Sequence, residues 1–346
     1  MKMKIKYQYG LLLFLTGILS CTSGNKKNIE YFEDRGEIFT TGYLIKYAFD
    51  RSLQKEIMEE FGKFNLSLNP FKENSVITKV NRNEPVELDS FFLNVFHRSQ
   101  EVSRATGGRF DITVAPLVNA WGFGFENIDS VTPAMIDSLK EFVGYEKIWV
   151  DNSGIIRKTD QRVRINTSAI AKGYACDVIG NLLESYGITD YMVEIGGEIT
   201  ARGVNDKGEC WRIGIDKPID DATGMLHNLQ EVVRLCNKSM ATSGNYRNFY
   251  IKGGKKYAHT IDPVSGYPAQ LDILGATVIA DDCMTADAYA TAFMVMGLEQ
   301  SVETAKNIRG LEYYFIYEKK DGALGIQYSA GLEQFFVKNN DSSELN

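Results

Sequence analysis

Between Tyr191 and Ile279 the chain offers a succession of strand candidates with no helical periodicity to separate them. They are Tyr191–Ile195, Trp211–Ile215, Glu231–Leu235, Asn248–Ile251 and Ile273–Ile279. Strands that cluster rather than alternate with helices place the chain in the α+β class. No G-x-G-x-x-G follows a strand, and no G-x-x-x-x-G-K-[ST] occurs, so Rossmann and P-loop readings fail.

Helices flank the cluster. Asp50 reads as an N-cap for a helix to about Phe64, and a second helix is expected over 89–105, stopping at Gly107-Gly108. Thr132-Pro133 marks a helix start. A helix over 170–186 ends at Gly187, and one over 284–296 ends at Gly297. Paired strands are expected within 36–49, and short strands near Ile148–Val150, Val163–Ile165, Tyr313–Tyr317 and Leu324–Tyr328.

The N-terminus reads as an address. Lys2, Lys4 and Lys6 precede a short apolar run from Leu11 to Leu19, too short to span a bilayer comfortably. The run ends Ile18-Leu19-Ser20-Cys21, which resembles a bacterial lipobox. The expectation is a lipoprotein signal peptide over 1–20, lipidation at Cys21 and a polar tether over 21–35. A domain over 36–335 and a tail over 336–346 follow. Export to the periplasm or cell exterior, with a lipid anchor in the membrane, follows from that address.

The net charge of −7 and the lack of a basic stripe argue against nucleic acid as a partner. Cys176, Cys210, Cys236 and Cys283 are far apart and form no C-x-x-C; export permits disulfides, which spacing does not establish, and the favoured reading is buried free cysteines. The three histidines are scattered, so no zinc signature exists.

Four constellations offer chemistry. Asp287 and Thr291 stand at i, i+4, so on a helix both oxygens point the same way. A carboxylate and a hydroxyl make a sparse, hard site that Mg²⁺ accepts when phosphates and water complete its shell. Alternatively, Asp287 bonds nearby backbone or solvent. The segment from Asn166 through Ala169 to Lys172 and Gly173 joins a strand end to a helix start, where free N–H groups favour an anion. The alternative is a capped helix with small packing residues. Thr106 to Asp111, continuing to Trp121-Gly122-Phe123-Gly124, sets glycines beside aromatics, which suits either a planar ligand or a buried aromatic turn. Ala241-Thr242-Ser243-Gly244 and His259 to Pro268 contain a turn and a lone histidine. That histidine is either a general acid or base or a structural residue.

In this order the segments resemble one family closely, the ApbE-type FAD:protein FMN transferases. The resemblance runs from about Gly36 to Gly331 and includes Glu194-Ile195-Gly196-Gly197-Glu198 and Thr285 to Thr291. It implies an ApbE-like fold of mostly antiparallel sheets flanked by helices. It also implies transfer of the FMN half of FAD to a Thr hydroxyl of a target protein, with Mg²⁺ required and AMP released. Targets carry a motif ending in Gly-Ala-Thr and include subunits of membrane electron-transfer complexes.

By the same resemblance Asp287, Thr291 and the Ala169 carbonyl would hold Mg²⁺. Lys172 and Asn166 would lie beside FAD, Trp121, Gly122 and Phe123 would line its pocket, and Phe71 and Thr41 would face it. His259 and Thr260 match a catalytic-region motif, with His259 as acid or base and Asp287 counted in the catalytic set. Two positions depart from the family pattern: Asn166, where many members carry Asp, and Val264, where many carry Lys or Arg. Two alternatives stay open: an Mg²⁺-dependent FAD pyrophosphatase and a non-enzymatic FAD-binding lipoprotein.

Overall fold

A computed structural model describes residues 30–122, 131–217, 229–244, 249–252, 255–258, 260–269 and 272–337. Cys21, Phe123 and His259 lie outside the described residues, as do the signal-peptide segment and the tail over 338–346.

The first half of the chain is mostly helical. It contains β1 (Glu30–Ile38), β2 (Thr41–Phe49), α1 (Gln54–Leu68), α2 (Val76–Arg82), α3 (Ser90–Ala105), α4 (Ala115–Ala120), α5 (Pro133–Lys140), β3 (Ile148–Val150), β4 (Ile156–Lys158) and α6 (Ala171–Ser185). The second half contains β5 (Tyr191–Ile195), β6 (Glu198–Arg202), β7 (Trp211–Asp216), β8 (Leu229–Leu235), β9 (Lys238–Gly244), β10 (Phe249–Lys252), β11 (Lys255–Ala258), β12 (Ile273–Ala280), α7 (Cys283–Met296), α8 (Leu298–Ala305), β13 (Glu312–Glu318) and β14 (Leu324–Tyr328).

One eight-stranded sheet organises the molecule, in the order β1-β2-β5-β6-β9-β12-β13-β14. Each neighbouring pair in it is antiparallel. The α+β expectation holds. Strand β1 begins at Glu30, so residues 30–35, expected as the end of a tether, belong to the sheet. Phe32 stacks on Tyr47, and Tyr47 Oη donates to Asp34 Oδ2 at 2.9 Å. These contacts draw the segment into the fold.

Helices cover one face of the sheet. Helix α7 lies at the centre of that layer, and every one of its residues except Thr291 is buried. A helix apolar on all sides can be stable only inside a core. The side chains of α7, α6, α1 and α3 join those of β2, β5 and β12 in one apolar cluster. The other face carries Met192, Ile199, Met240, Ile279 and Tyr314, covered by the β7–β8 hairpin through Trp211, Ile213, Val233 and Leu235. Cys210 and Cys236, just outside the ends of that hairpin, form a disulfide. The reading of four free cysteines is thus corrected for this pair, because strand pairing sets Trp211 opposite Leu235 and brings the flanking thiols together. Cys176 and Cys283 are free and buried.

Asp89 and Thr132 cap α3 and α5, accepting from Phe92 N at 2.9 Å and Met135 N at 3.3 Å. Asp50 is not the N-cap of α1, because the helix begins at Gln54 and Leu53 holds the N-cap position. There the buried Leu53 N–H is satisfied by Tyr47 Oη at 2.7 Å. The strand expected at Val163–Ile165 is irregular backbone. The Asn81 side chain takes the place of a neighbouring strand, accepting from Ile165 N at 2.7 Å and donating to Ile165 O at 2.9 Å. Among the described residues no helix is long and apolar enough to cross a membrane.

Candidate active site

The C-terminal ends of β5, β9 and the start of α6 converge on a cavity of about 1200 Å³. Its wall contains Asn166, Ala169, Lys172, Glu198, Thr260, Asp287 and Thr291. Segments more than a hundred residues apart in sequence thus meet in one place.

The contact between α6 and α7 sets the geometry. Gly173 N donates to Asp287 Oδ2 at 3.0 Å, joining the first turn of α6 to the buried carboxyl on α7. A Cβ on Gly173 would stand 2.3 Å from Cys283 O and 2.7 Å from Asp287 Cβ. Only glycine allows the helices this approach. One turn after Asp287, the Thr291 hydroxyl lies 3.2 Å from Ser243 Oγ on β9. The Gly173 N–H is spent on Asp287, and no hydrogen bond to the Ala169 carbonyl is found among the described residues.

Glu198 reaches the cavity by a different device. Strands β5 and β6 are joined by Gly196 and Gly197, at φ 62° and 96°. A two-residue turn with positive φ at both positions matches the twist of a hairpin. Glu198 follows it directly, is 3% exposed, and accepts a hydrogen bond from Lys172 Nζ through Oε1. Burial pushes the Glu198 carboxyl upward and the Lys172 ammonium opposes the shift, while the Asp287 carboxylate adds to it. Burial also opposes the Lys172 charge, but Glu198 and Asp287 overcome it and hold the ammonium above its ordinary value. Burial raises Asp287 in turn, against the pull of Lys172 and the Gly173 N–H.

A third buried carboxyl enters from the loop after α3. Asp111 Oδ1 accepts from Thr113 N and Thr113 Oγ1, each at 2.7 Å, and burial raises this group to about 6. Nearby, Arg109 Nη1 donates to Asp262 Oδ2 at 2.7 Å, tying this loop to the turn over 262–266. Arg109 and Asp111 both line the cavity. Asn166 turns its Oδ1 onto Ser168 N at 2.8 Å and Ser168 Oγ at 2.6 Å, which shapes the entry to α6.

Other expected residues stand elsewhere. Trp121 Nε1 donates to Gly266 O at 2.8 Å, and its ring lies 5.6 Å from that of Tyr267. Neither Trp121 nor Gly122 belongs to the cavity wall, and Phe71 is 69% exposed outside it. Thr41 packs against Gly196, which does line the cavity. Glu198, Asp111 and Ser243 belong to motifs that by themselves assign these residues no role. The signal for Glu198 was an acid placed directly after a Gly-Gly turn.

The donor set suits a hard divalent cation. A carboxylate, a hydroxyl and a backbone carbonyl are oxygen ligands of the kind Mg²⁺ accepts. The unclaimed Ala169 carbonyl and the partnerless buried Glu198 Oε2 fit a site completed by a ligand. Among the described residues no group of three or more His, Cys, Asp or Glu is placed to hold a metal.

An antiparallel sheet backed by a buried helix that offers Asp and Thr to an oxygen-lined cavity defines the class. The chain belongs to the ApbE family, whose model matches residues 39–315. It is 35% identical over 295 residues to the FAD:protein FMN transferase of Vibrio cholerae, covering 82% of this chain and 87% of that one. It is 34% identical over 303 residues to the FAD:protein FMN transferase of Haemophilus influenzae, covering 83% and 86%. Among solved structures, the flavin transferase ApbE from Vibrio cholerae superposes with a TM-score of 0.79 at 32% identity, covering 89% of this chain and all of that one. The apo flavinyl transferase ApbE of Pseudomonas stutzeri gives 0.77 at 26% identity, over 89% and 97%.

Proposed function

We propose that this chain is a FAD:protein FMN transferase that moves the FMN half of FAD to a Thr hydroxyl of a target protein, with Mg²⁺ required. The observation that carries the reading is the meeting of Ala169, Lys172, Asp287 and Thr291 on one cavity wall, in a chain of this family. The new bond joins the Thr oxygen to the FMN phosphorus. The diphosphate bridge breaks, AMP leaves with the bridging oxygen, and the hydroxyl proton passes to a base.

Asp287, Thr291 and the Ala169 carbonyl would hold Mg²⁺, which supplies neutralisation of diphosphate charge and orientation for in-line displacement. Lys172 presents a half-buried ammonium to the same phosphates. The Gly173 N–H keeps the Asp287 carboxylate in one orientation, so no rearrangement is needed when the ligand arrives. The proton is assigned to His259 on the family resemblance, and the neighbouring Thr260 lines the cavity. A positioned base is worth ~10²–10⁴-fold for a poor nucleophile such as Thr. We further propose export and anchoring through lipidated Cys21, and an acceptor displaying a Gly-Ala-Thr motif.

The test is incubation with FAD, Mg²⁺ and a small protein bearing the acceptor motif, followed by intact mass spectrometry and assay of free FMN. An FMN-sized mass gain that needs Mg²⁺ and the motif Thr is the expected result. Free FMN without a mass gain would replace transfer by hydrolysis. FAD binding with neither product, on more than one acceptor, would leave a carrier.

A further inference from the structure

Glu198 occupies a costly position to which the reaction above gives no task. It is nearly inaccessible, yet only Oε1 is engaged, by Lys172 Nζ. Oε2 is buried and has no hydrogen-bond partner among the described residues. A buried carboxylate with one idle oxygen is expensive to keep.

The position of Lys172 gives a reason. Lys172 lies on the first turn of α6, directly before Gly173, whose N–H is bonded to Asp287. Its ammonium feels both carboxylates, Glu198 and Asp287, and is hydrogen-bonded to Glu198. A half-buried ammonium deprived of its partner turns to the next available carboxylate, because an unpaired charge that is partly removed from water is disfavoured. Here that carboxylate is Asp287. An ammonium seated on Asp287 would take the oxygen that a divalent cation needs.

We propose that Glu198 is a positioning residue that holds the Lys172 ammonium off Asp287, which leaves Asp287 open to a divalent cation and keeps Lys172 at the cavity wall for the phosphates of the ligand. The pair cancels its own charge, so the cluster of three offers the cation one net negative charge, that of Asp287. This inference rests on the Mg²⁺ reading above.

Mn²⁺ replaces Mg²⁺ as the probe, and its occupancy is read by electron paramagnetic resonance with FAD bound and no acceptor present. FAD binding is followed separately by flavin fluorescence. Glu198→Gln is expected to weaken Mn²⁺ binding at least tenfold, with FAD affinity changed far less. Lys172→Met alone leaves Mn²⁺ binding equal or tighter. The double variant Glu198→Gln/Lys172→Met recovers Mn²⁺ binding to within about twofold of wild type, a rescue that a merely structural role for Glu198 would not produce. Unchanged Mn²⁺ affinity in Glu198→Gln, or a double variant as weak as Glu198→Gln, would overturn the proposal. Should the single variant fail to fold, the double variant carries the test: tight Mn²⁺ binding supports the proposal, and a tenfold loss refutes it. If wild type binds no Mn²⁺, the metal reading fails and takes this inference with it. If wild type binds Mn²⁺ but the variants show no such coupling, this inference alone fails.

Discussion

Gly173→Ala replaces one hydrogen by a methyl group at the close contact between α6 and α7. The new Cβ would stand 2.3 Å from Cys283 O, 2.7 Å from Asp287 Cβ and 2.8 Å from Cys283 C. Ordinary contact begins at 3.4 Å, so the shortfall at the oxygen is close to 1 Å. Two of the three atoms are backbone, so no side chain can rotate away. Overpacking of this kind costs ~1–3 kcal/mol. Alanine recovers up to ~1 kcal/mol over glycine inside a helix. The clash is against backbone, so the upper half of that range applies and the net expectation is a loss of about 1–2 kcal/mol, a fall in Tm of roughly 2–3 °C for a domain of this size. Because Asp287 moves with α7, a shift near 1 Å also lowers kcat by ~10²-fold. Gly62→Ala is the control, since Gly62 lies in α1 with nothing within 4 Å of its added Cβ. It gains the propensity term without the clash, so its Tm rises. Thermal melts and FMN-transfer rates on both variants decide the matter. A Gly173→Ala protein with wild-type kcat and an equal or higher Tm would refute the close-approach argument.

Three further expectations follow from the same geometry. Asp287→Asn removes the one carboxylate of the proposed cation site and cuts FMN transfer by ~10³-fold. Its Tm is not lowered, because a buried carboxyl raised by desolvation is itself a cost, and a drop in Tm beyond a few degrees would contradict this. Asp177 accepts from Cys283 N at 2.9 Å, Met284 N at 2.8 Å and Thr200 Oγ1 at 2.8 Å, and burial raises it to about 7. The unfolded chain releases that proton first, so wild-type stability falls as pH rises from the ordinary Asp range to about 7, by at most ~1.4 kcal/mol per unit. Asp177→Asn makes that slope shallower by up to one proton's share in urea denaturation at pH 4.5, 6 and 7.5, the rest coming from Asp111, Glu198 and Asp287, and an unchanged slope would remove Asp177 as a source. The Cys210–Cys236 bond spans 26 residues, which corresponds to ~3–4 kcal/mol of loop-closure entropy. Cys210→Ser/Cys236→Ser lowers the denaturation midpoint accordingly, and an unmoved midpoint would argue against the cross-link.

Local rules placed the elements that carry their own signals. Asp89, Thr132 and Gly187 bound helices within a residue or two of the expected ends, because caps act on the nearest few backbone groups. Strand β12 reads as apolar apart from Thr277 because it is buried on both faces, inside the sheet. The errors arose where a distant residue supplied what a local one usually does. Tyr47 did so at the start of α1, and Asn81 beside Ile165. The site shows the same division. Asp287 and Thr291 were visible as a helical pair because their spacing is local. Glu198 and its partner Lys172 are 26 residues apart, and nothing in the spacing relates them. The cysteine pair was missed for the same reason: its closeness is a property of the β7–β8 pairing.

Helix α7 is buried at every residue but Thr291, and the proposed cation ligands Asp287 and Thr291 sit on that helix. Active sites are more often assembled from loops, which sequence drift can reshape while the scaffold stands. Here the reacting centre cannot be altered without altering the core, so drift that keeps the fold keeps Asp287 and its surroundings as well. Freedom to change lies at the rim, in the Arg109 loop and the turn over 262–266 that it grips. A chain built this way would preserve one reaction over long divergence while exchanging the proteins it acts upon.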